Sequence, residues 1–417
     1  RSHIVENHFK PVCAALGNRV NSYGIRCLDG ITVTNLLIRD GVCCGAFAID
    51  GDTLCCILAK AVVLAAGGAS TIFSRNMYPD DISGDGYAMS ARANARIANM
   101  EFVQIGLGLA LPKVNLLGPQ LWEALPQLTN GRHEHFLYKY APENLTEDEI
   151  VAAKYHHFPF SSRDISKYVE IGVEREIQSG GATEHGNVYL DFLHTDFDAL
   201  FQNPNSLLAP MWPLTYQRFQ EMGIDLYKDK IEIACFAHAV NGGIKIDPTA
   251  CSSIPGLYAA GEVAAGPHGA DRLGGNMMVT CQVFGRRAGL FAAEWAKQVS
   301  LPDLSESFYA QEEAFLSGIG MYPVEETNEM IAALQKACDQ SLMIVRNEAG
   351  LTKCLDTIES LRAQLGRNTC AFSASSLANG LRLENMLTTA RLVASAALAR
   401  KESRGSHYRS DYPTMQE

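Results

Sequence analysis

The pattern of apolar and polar positions changes along the first part of the chain. Residues 1–20 have the spacing of an amphipathic helix, whereas residues 24–58 alternate between apolar and polar positions. The alternation is interrupted by Arg39-Asp40-Gly41 and again by Asp50-Gly51-Asp52. Turn residues between alternating segments predict a meander of three antiparallel strands.

Two apolar runs lack this alternation. Residues 60–68 (KAVVLAAGG) form a continuous run that ends in Gly67-Gly68, and residues 257–260 form another that leads into Gly261-Glu262. Continuous apolar runs are typical of parallel strands buried on both faces. Residues 274–276 (GGN) then open a predicted helix, and an uncapped helix N-terminus after a glycine-containing loop favours anions.

The remaining pattern predicts a separate inserted region and a helical end. Residues 106–236 contain scattered aromatic residues and prolines, whereas the chain from residue 301 onward is mostly helical. Helices are predicted at 83–98, 165–178, 206–222, 302–316, 327–347, 352–365 and 373–395, and a strand at 187–192. We therefore predict an α/β protein (α+β overall) with a discontinuous doubly wound domain (1–105 and 238–297), an inserted capping domain (106–237) and a C-terminal helical domain with a tail (298–417).

Composition and charge exclude several function classes. The 417 residues are 47% hydrophobic and carry a formal net charge of −11, which argues against nucleic acid as a partner. The sequence contains no apolar run of the roughly 18 residues that span a bilayer. The 12 cysteines show no metal-ligand spacing, so we predict free thiols in a reducing, cytoplasmic compartment and no metal site.

Several short motifs follow one another in a fixed order along the chain. They are VVLAAGGAS, SGDGYAMSARANARIANMEFVQ, SSRD, HAVNGGI, GLYAAGE, HGADRLGGN and ESRGSHYRSDYP. In composition and order they resemble the flavoprotein subunits of fumarate reductase and succinate dehydrogenase and the related L-aspartate oxidases. The resemblance covers nearly the whole chain. It implies that the doubly wound domain binds FAD and that the capping domain covers the substrate.

The resemblance also implies a set of cofactor-binding residues. They are Gly67, Gly68, Asp85, Gly261, Glu262, Met277 and Met278. Asp85 and Glu262 would accept hydrogen bonds from FAD hydroxyl groups, and the two methionines would face the flavin through their backbone amides. From the residues alone, Asp85 has an alternative interpretation as the N-cap of its own helix.

Part of the family pattern is absent from this sequence. The family begins with a dinucleotide-binding βαβ unit that carries G-x-G-x-x-G, and its membrane-bound members then have a histidine that binds flavin covalently. Neither feature occurs here, and the chain begins with Arg1 inside a predicted helix. We therefore expect that upstream sequence is missing or that another chain supplies this unit.

The residues for the chemistry are likewise implied by the resemblance. Arg163 would be the proton donor, His238 and Arg272 would bind the substrate carboxylate, and His268 is a further candidate for substrate binding. Arginine is a weak acid with a pKa above ~12, so a relay through Asp164 or another carboxylate must return its proton. The residues alone also fit an ion pair between Arg163 and Asp164, a core position for His238, and a surface salt bridge for Arg272.

Two positions depart from the substrate site of the family. Gly106 stands where a carboxylate-binding histidine is expected, and Asp271 replaces the usual asparagine and places a negative charge beside Arg272. Half of the clamp for a dicarboxylate is therefore absent. A substrate with one carboxylate and a larger apolar or different polar end becomes an alternative to a four-carbon dicarboxylate.

The expected function is FAD-dependent reduction, or in reverse formation, of a carbon–carbon double bond next to a carboxylate. Two alternatives stay open: an amino-acid oxidation like that of L-aspartate oxidase, and an inactive or structural subunit that needs a partner chain. The sequence has no iron–sulfur motif. We therefore expect electrons to come from a partner such as an iron–sulfur protein. Through this partner the chain could also bind peripherally to the inner face of a membrane.

Overall fold

The structure, a computed structural model, describes residues 10–303, 306–319, 322–366 and 374–417. The strands are, in chain order, β1 (Ile31–Arg39), β2 (Val42–Asp50), β3 (Thr53–Leu58), β4 (Val62–Leu64), β5 (Ile97–Ala98), β6 (Val103–Leu109), β7 (Asn115–Leu116), β8 (Gln127–Thr129), β9 (Val188–Asp191), β10 (Ile231–Val240), β11 (Gly243–Lys245), β12 (Leu257–Ala259) and β13 (Ala264–Ala265). The helices are α1 (Lys10–Ser22), α2 (Asp85–Arg92), α3 (Glu147–His156), α4 (Lys167–Glu176), α5 (Phe197–Gln202), α6 (Leu208–Glu221), α7 (Asn276–Gln298), α8 (Glu306–Gly318), α9 (Val324–Ser341), α10 (Glu348–Leu365) and α11 (Ala374–Ala399). The helices predicted at 1–20, 302–316 and 373–395 lie in part outside the described residues.

The first sheet is the antiparallel meander that the alternating pattern predicts. Strand β1 pairs with β2, and β2 pairs with β3. Between β1 and β2, Asp40 and Gly41 both have positive φ, 50° and 77°. Two consecutive residues with positive φ are what a tight hairpin turn needs, so the turn prediction is confirmed.

The two apolar runs are strands, as predicted, and they pair with each other in parallel. Strand β4 pairs with β12 in the register Val63↔Tyr258. The prediction that both strands are buried on both faces is wrong for β4, because Val63 is 42% exposed. Within the described residues this sheet consists of the two strands β12 and β4, so no further layer covers the outer face of β4.

A small mixed sheet explains why one predicted helix is too long. Strand β11 pairs in parallel with β13 and antiparallel with β5. The helix predicted at 83–98 is α2, which ends at Arg92; Asn94 then adopts a left-handed φ of 60°. A residue in this conformation ends a helix. The following residues pair with β11 and become a strand.

The largest sheet has five antiparallel strands in the order β7-β6-β10-β9-β8. Every residue of its strand β6 is buried, and β10 is buried along most of its length. The strand predicted at 187–192 is β9, and the helices predicted at 165–178 and 206–222 are α4 and α6. The predicted domain boundaries at 105/106 and 237/238 fall inside β6 and β10, so the division into domains stays a prediction.

The C-terminal helices pack on one another and on the first part of the chain. Helices α9, α10 and α11 contact each other, and α11 also contacts α2. The Thr389 hydroxyl donates to the carbonyl oxygen of Gly84 at 3.1 Å, and Asn385 Nδ2 donates to Asp85 Oδ1 at 2.7 Å. The long helix α11 thus fixes the beginning of α2.

Among the described residues, no helix has the length and apolar character needed to cross a bilayer, and the eleven described cysteines are free thiols.

An ion pair is completely buried between α3 and α4. Lys154 and Glu170 contact each other with both side chains at 0% exposure. Beyond each other, the ammonium group and the two carboxylate oxygens have no hydrogen-bond partner among the described residues. Burial raises the pKa of Glu170, and the charge of Lys154 opposes that shift. The Glu170 carboxylate therefore depends on Lys154 for its counter-charge in the interior.

We predict that Lys154→Met destabilises the protein by about 3–5 kcal/mol, because it leaves the Glu170 carboxylate buried without a counter-ion. The double variant Lys154→Met/Glu170→Leu should recover most of this loss, since an apolar pair of similar size removes both desolvation penalties. The free energy of unfolding of the three proteins, measured in denaturant, tests the pair. Equal stability of the single variant and the wild type would contradict it.

Candidate active site

A β-bulge presents His238 at the end of the large sheet. Strand β10 pairs with β6 up to Ala237↔Ile105 and resumes at Ala239↔Gln104, so His238 is the extra residue. Bulges of this kind re-aim one side chain away from the regular pleat. The imidazole has no hydrogen-bond partner in the described part of the chain. Burial, with a smaller contribution from the charge of Arg272, lowers the pKa of His238 to about 4, so the ring is neutral at pH 7.

Arg272 is a buried cation that forms no ion pair with a described carboxylate, although the charge of Glu262 acts on it. Its exposed fraction is 7%. Nε donates to Gln104 Oε1 at 2.9 Å and Nη1 to the Leu273 carbonyl at 3.3 Å, while Gln104 Nε2 donates back to the Arg272 carbonyl at 2.8 Å. No carboxylate of the described residues forms an ion pair with this guanidinium, and Nη2 has no partner there. A buried charge held in this way is suited to an incoming anion.

Asp271 lies next to Arg272 in the chain but turns to other partners. Its Oδ2 accepts from the Ser161 hydroxyl at 2.7 Å and lies 2.9 Å from Arg163 Nε and 3.4 Å from His157 Nε2. Burial opposes its ionisation, but these hydrogen bonds and charges outweigh burial and hold the pKa of Asp271 below its ordinary value. The carboxylate therefore ties the Ser161–Arg163 loop to the Asp271–Arg272 loop.

The ion pair between Arg163 and Asp164 that the residues alone also fit does not form. Asp164 Oδ1 instead accepts from the Ser166 backbone amide at 2.8 Å, in the turn before α4. The Arg163 side chain remains 54% exposed. The guanidinium is thus held at Nε by Asp271 and lies 2.9 Å from His157 Nε2 through Nη2.

The C-terminal tail bridges the same two loops. The Ser162 amide donates to the Gly405 carbonyl at 2.7 Å, and the Ser406 amide donates to the Ala270 carbonyl at 3.1 Å. Gly405 has a positive φ of 53°, and a Cβ atom added there would collide with the carbonyl oxygen of Ala270. Residues 405–406 thus act as a strap that sets the spacing of the loops carrying Arg163 and Arg272.

Glu262 is held by groups of the protein itself. One carboxylate oxygen accepts from the Tyr78 hydroxyl and the other from the Val240 amide at 2.9 Å. Burial raises the pKa of Glu262, and these two hydrogen bonds oppose the shift. A Cβ atom at Gly68 would collide with the same carboxylate, so the glycine turn after β4 and Glu262 fit against each other. The role of Glu262 in accepting cofactor hydroxyls stays a prediction.

The beginning of α7 is open for the close approach of a ligand. No side chain caps this helix, its N-cap Gly275 has a φ of 81°, and Cβ atoms at Gly274 and Gly275 would meet nothing within 4 Å. Met277 and Met278 lie in the first turn. Uncapped amides at the N-terminus of a 23-residue helix are a suitable partner for a phosphate or another anionic part of a cofactor. These residues fit the predicted FAD.

Other predicted residues surround this region. Gly67 and Gly261 have positive φ values of 77° and 80° at the ends of β4 and β12. His268 Nε2 lies 3.2 Å from the Thr280 hydroxyl of α7, and burial together with the charge of Arg272 lowers the pKa of His268 to about 4. Asp85 is not the N-cap of α2, because Gly84 occupies that position.

Gly106 lies on an apolar wall. A Cβ atom there would be 3.2 Å from Leu116 Cδ1 and 3.8 Å from Phe158 Cε1. A side chain at this position would require a small shift of Leu116, which belongs to the edge strand β7. The nearest neighbours of Gly106 on this side are therefore hydrocarbon.

The structure brings some of the predicted residues together and adds others. The charge of Arg272 acts on His238 and His268. Arg163 is connected to this group by its ion pair with Asp271, the residue before Arg272 in the chain. Interpretation of the sequence missed His157, Ser161, Gln104, Tyr78 and Gly405. A histidine six residues before Arg163 was the one visible signal, whereas the remaining contacts join residues from about 100 to 240 positions apart.

Comparisons with known proteins identify the family of this chain. A profile described as an FAD binding domain matches residues 3–125 and 157–278, and one described as the C-terminal part of fumarate reductase flavoproteins matches residues 331–417. One of the subunits of the fumarate reductase (CoM/CoB) of Methanothermobacter marburgensis is 33% identical over 96% of this chain and 70% of its own length. An L-aspartate oxidase of Yersinia pestis is 32% identical over 85% of this chain and 61% of its own length.

Solved structures show the same fold. Sdh1 of Mycobacterium smegmatis superposes with a TM-score of 0.76 at 30% identity, covering 97% of this chain and 66% of its own. The quinol fumarate reductase of Escherichia coli superposes with a TM-score of 0.70 at 26% identity, covering 93% of this chain and 67% of its own. The chain thus spans roughly two thirds of the length of the proteins that it matches.

The strap leads to a prediction for Gly405→Ala. The variant should lose about 1–2 kcal/mol from the left-handed conformation and about 1–3 kcal/mol more from the collision with the Ala270 carbonyl. The matched control is Gly51→Ala, whose φ of 57° is similar but whose Cβ would meet nothing within 4 Å. Thermal unfolding of both variants is the measurement, and an equal loss in both would argue against the strap.

Proposed function

We propose that this chain, which belongs to the FAD-binding flavoprotein family of the fumarate reductases, succinate dehydrogenases and L-aspartate oxidases, reduces a carbon–carbon double bond next to a carboxylate. Its cofactor is FAD. The observation that carries the proposal is the buried Arg272 guanidinium, which forms no ion pair with a described carboxylate and is close enough to His238 for its charge to lower the pKa of that ring. A substrate carboxylate would complete this site.

Each protein group has a task in this reaction. Arg272 Nη2 and the neutral His238 ring bind the carboxylate of the substrate. Their hydrogen bonds stabilise the negative charge that spreads from the substrate carbon onto the carboxylate as the double bond is reduced. FAD, when bound, supplies the hydride. Arg163 supplies the proton, so that one hydride and one proton add across the double bond and no charge remains on the product carbon.

We propose further that the substrate has a single carboxylate next to the double bond and an apolar far end. Gly106, Leu116 and Phe158 support this, because they offer hydrocarbon where a second carboxylate would need a hydrogen-bond donor. A carboxylate that is desolvated without a donor loses several kcal/mol, on the order of a thousandfold in binding.

The electron source is a separate proposal. We infer that electrons reach the flavin from a partner subunit, for which an iron–sulfur protein is the candidate. The enzyme would then be cytoplasmic, or peripheral on the inner face of a membrane through that partner. The proposal draws on the relatives that the chain resembles, among them a protein named as one of the subunits of a fumarate reductase.

The first prediction of this proposal concerns Arg163. Arg163→Ala should lower kcat by at least about 100-fold, because the proton donor is lost, while the flavin absorbance stays unchanged. The matched control is Arg132→Ala, since Arg132 is an arginine of similar exposure (59%) in a surface ion pair with Glu134. The assay is anaerobic reoxidation of the reduced flavin by substrate. Retention of most activity in Arg163→Ala would remove this residue from the mechanism.

The second prediction concerns the substrate. In the same assay crotonate and cinnamate should reoxidise the flavin more efficiently than fumarate, judged by kcat/KM. A preference for fumarate would contradict the apolar far end but not the reaction. Turnover of L-aspartate with formation of hydrogen peroxide, without reduction of any unsaturated acid, would instead favour the oxidase activity. A purified protein that binds no FAD even when the dinucleotide-binding unit is supplied would contradict the enzyme proposal altogether.

A further inference from the structure

The structure places His157, a histidine just after the end of α3, against the proposed proton donor. Its Nε2 lies 2.9 Å from Arg163 Nη2 and 3.4 Å from Asp271 Oδ2. Its Nδ1 lies 3.1 Å from the Pro159 carbonyl oxygen. The ring thus contacts both members of the ion pair that fixes Arg163, and its side chain is 17% exposed.

The two ring nitrogens have different tasks. A carbonyl oxygen can only accept, so Nδ1 must carry a proton that it donates to Pro159. Nε2 is then the nitrogen that gains and loses a proton. When it is protonated it can donate to Asp271, and when it is neutral it can accept from Arg163 Nη2. The exchangeable proton therefore lies directly beside the guanidinium.

Several charged groups face this ring. Asp271 and Asp164 carry negative charge on two sides, Arg163 is positive, and the buried Lys154–Glu170 pair lies behind the ring. The hydrogen bond with Asp271 raises the pKa of His157 above its ordinary value, against the opposing effect of burial. Asp271 itself has a lowered pKa and is a poor carrier of protons near pH 7.

We propose that His157 is the residue that returns a proton to Arg163 after each turnover, a proposal that rests on the function of Arg163 given above. Arg163 loses a proton to the substrate carbon and becomes a neutral guanidine. The Nε2–H bond of the His157 imidazolium then breaks, and the proton moves to Arg163 Nη2 over the 2.9 Å contact. Solvent at the exposed edge of the ring returns a proton to Nε2. Asp271 holds both partners in place and stays ionised.

The test compares His157→Gln with the wild type and with His156→Gln, a variant of the neighbouring exposed histidine. His157→Gln should lower kcat by about 100-fold and change KM by less than about twofold, because the ring moves protons and does not hold the substrate. In the wild type, kcat should fall as the pH rises through the pKa of His157, since the imidazolium is the proton source. This descending limb should be absent in His157→Gln and present in His156→Gln.

Rescue separates a proton relay from a structural role. Added imidazole should restore part of the kcat of His157→Ala, and it should leave His156→Ala unchanged. A kcat for His157→Gln within about twofold of the wild type, with the same descending limb, would overturn the proposal. So would a loss of activity in His157→Ala that imidazole does not reverse in a variant that still binds FAD and unfolds at the wild-type temperature.

A second measurement does not depend on turnover. In the FAD-loaded protein labelled with ¹³C-histidine, NMR titration should show a His157 pKa above the ordinary value, lowered by about one pKa unit in Asp271→Asn. A His157 pKa at or below the ordinary value in the wild type would overturn the relay. If the wild type reduces no unsaturated acid while the titration behaves as expected, the proposed reaction fails and the proton-sharing cluster stands.

Discussion

A buried guanidinium that has no carboxylate partner is the constraint on which the rest of this site depends. Arg272 cannot be neutralised by losing its proton at physiological pH, and the Glu262 carboxylate acts on its charge without forming an ion pair with it. Hydrogen-bonding groups must therefore hold the guanidinium until an anion arrives. Gln104 provides this by exchanging two hydrogen bonds with Arg272, one at the side chain and one at the backbone. The charge remains available because these partners are uncharged.

Asp271 is the nearest residue in the chain that could neutralise the charge of Arg272. A carboxylate adjacent in sequence to Arg272 would cancel its charge if the two side chains met. The structure directs Asp271 to Ser161, Arg163 and His157 instead, and the strap at residues 405–406 keeps those loops in register. The Asp271 charge, which the sequence predicts to weaken anion binding at Arg272, instead holds Arg163, the proposed proton donor. The Asp271 carboxylate thus connects two loops that are more than 100 residues apart in the chain, the loop with Ser161 and Arg163 and its own loop.

The histidines of the site divide according to their surroundings. Burial lowers the pKa of His238 and of His268, and the charge of Arg272 adds to this effect, so both rings stay neutral at pH 7. His157 lies beside Asp271, and its pKa moves in the opposite direction. One site therefore contains neutral rings suited to hydrogen bonding and one ring suited to proton exchange. The division arises from burial and from the position of two charges, not from residue type.

The sequence by itself determined the hairpin turns, the strands formed by the two apolar runs and most helices, and through its family motifs it identified Arg163, His238 and Arg272 as candidates. These rest on local period, turn chemistry and motif spacing, which neighbouring residues specify. Only the tertiary structure decided that α2 stops at Arg92, that Asp271 pairs with Arg163, and that His157 and Gly405 belong to the site. Each of these depends on hydrogen bonds between distant segments, and such pairings leave no periodic trace in a single sequence.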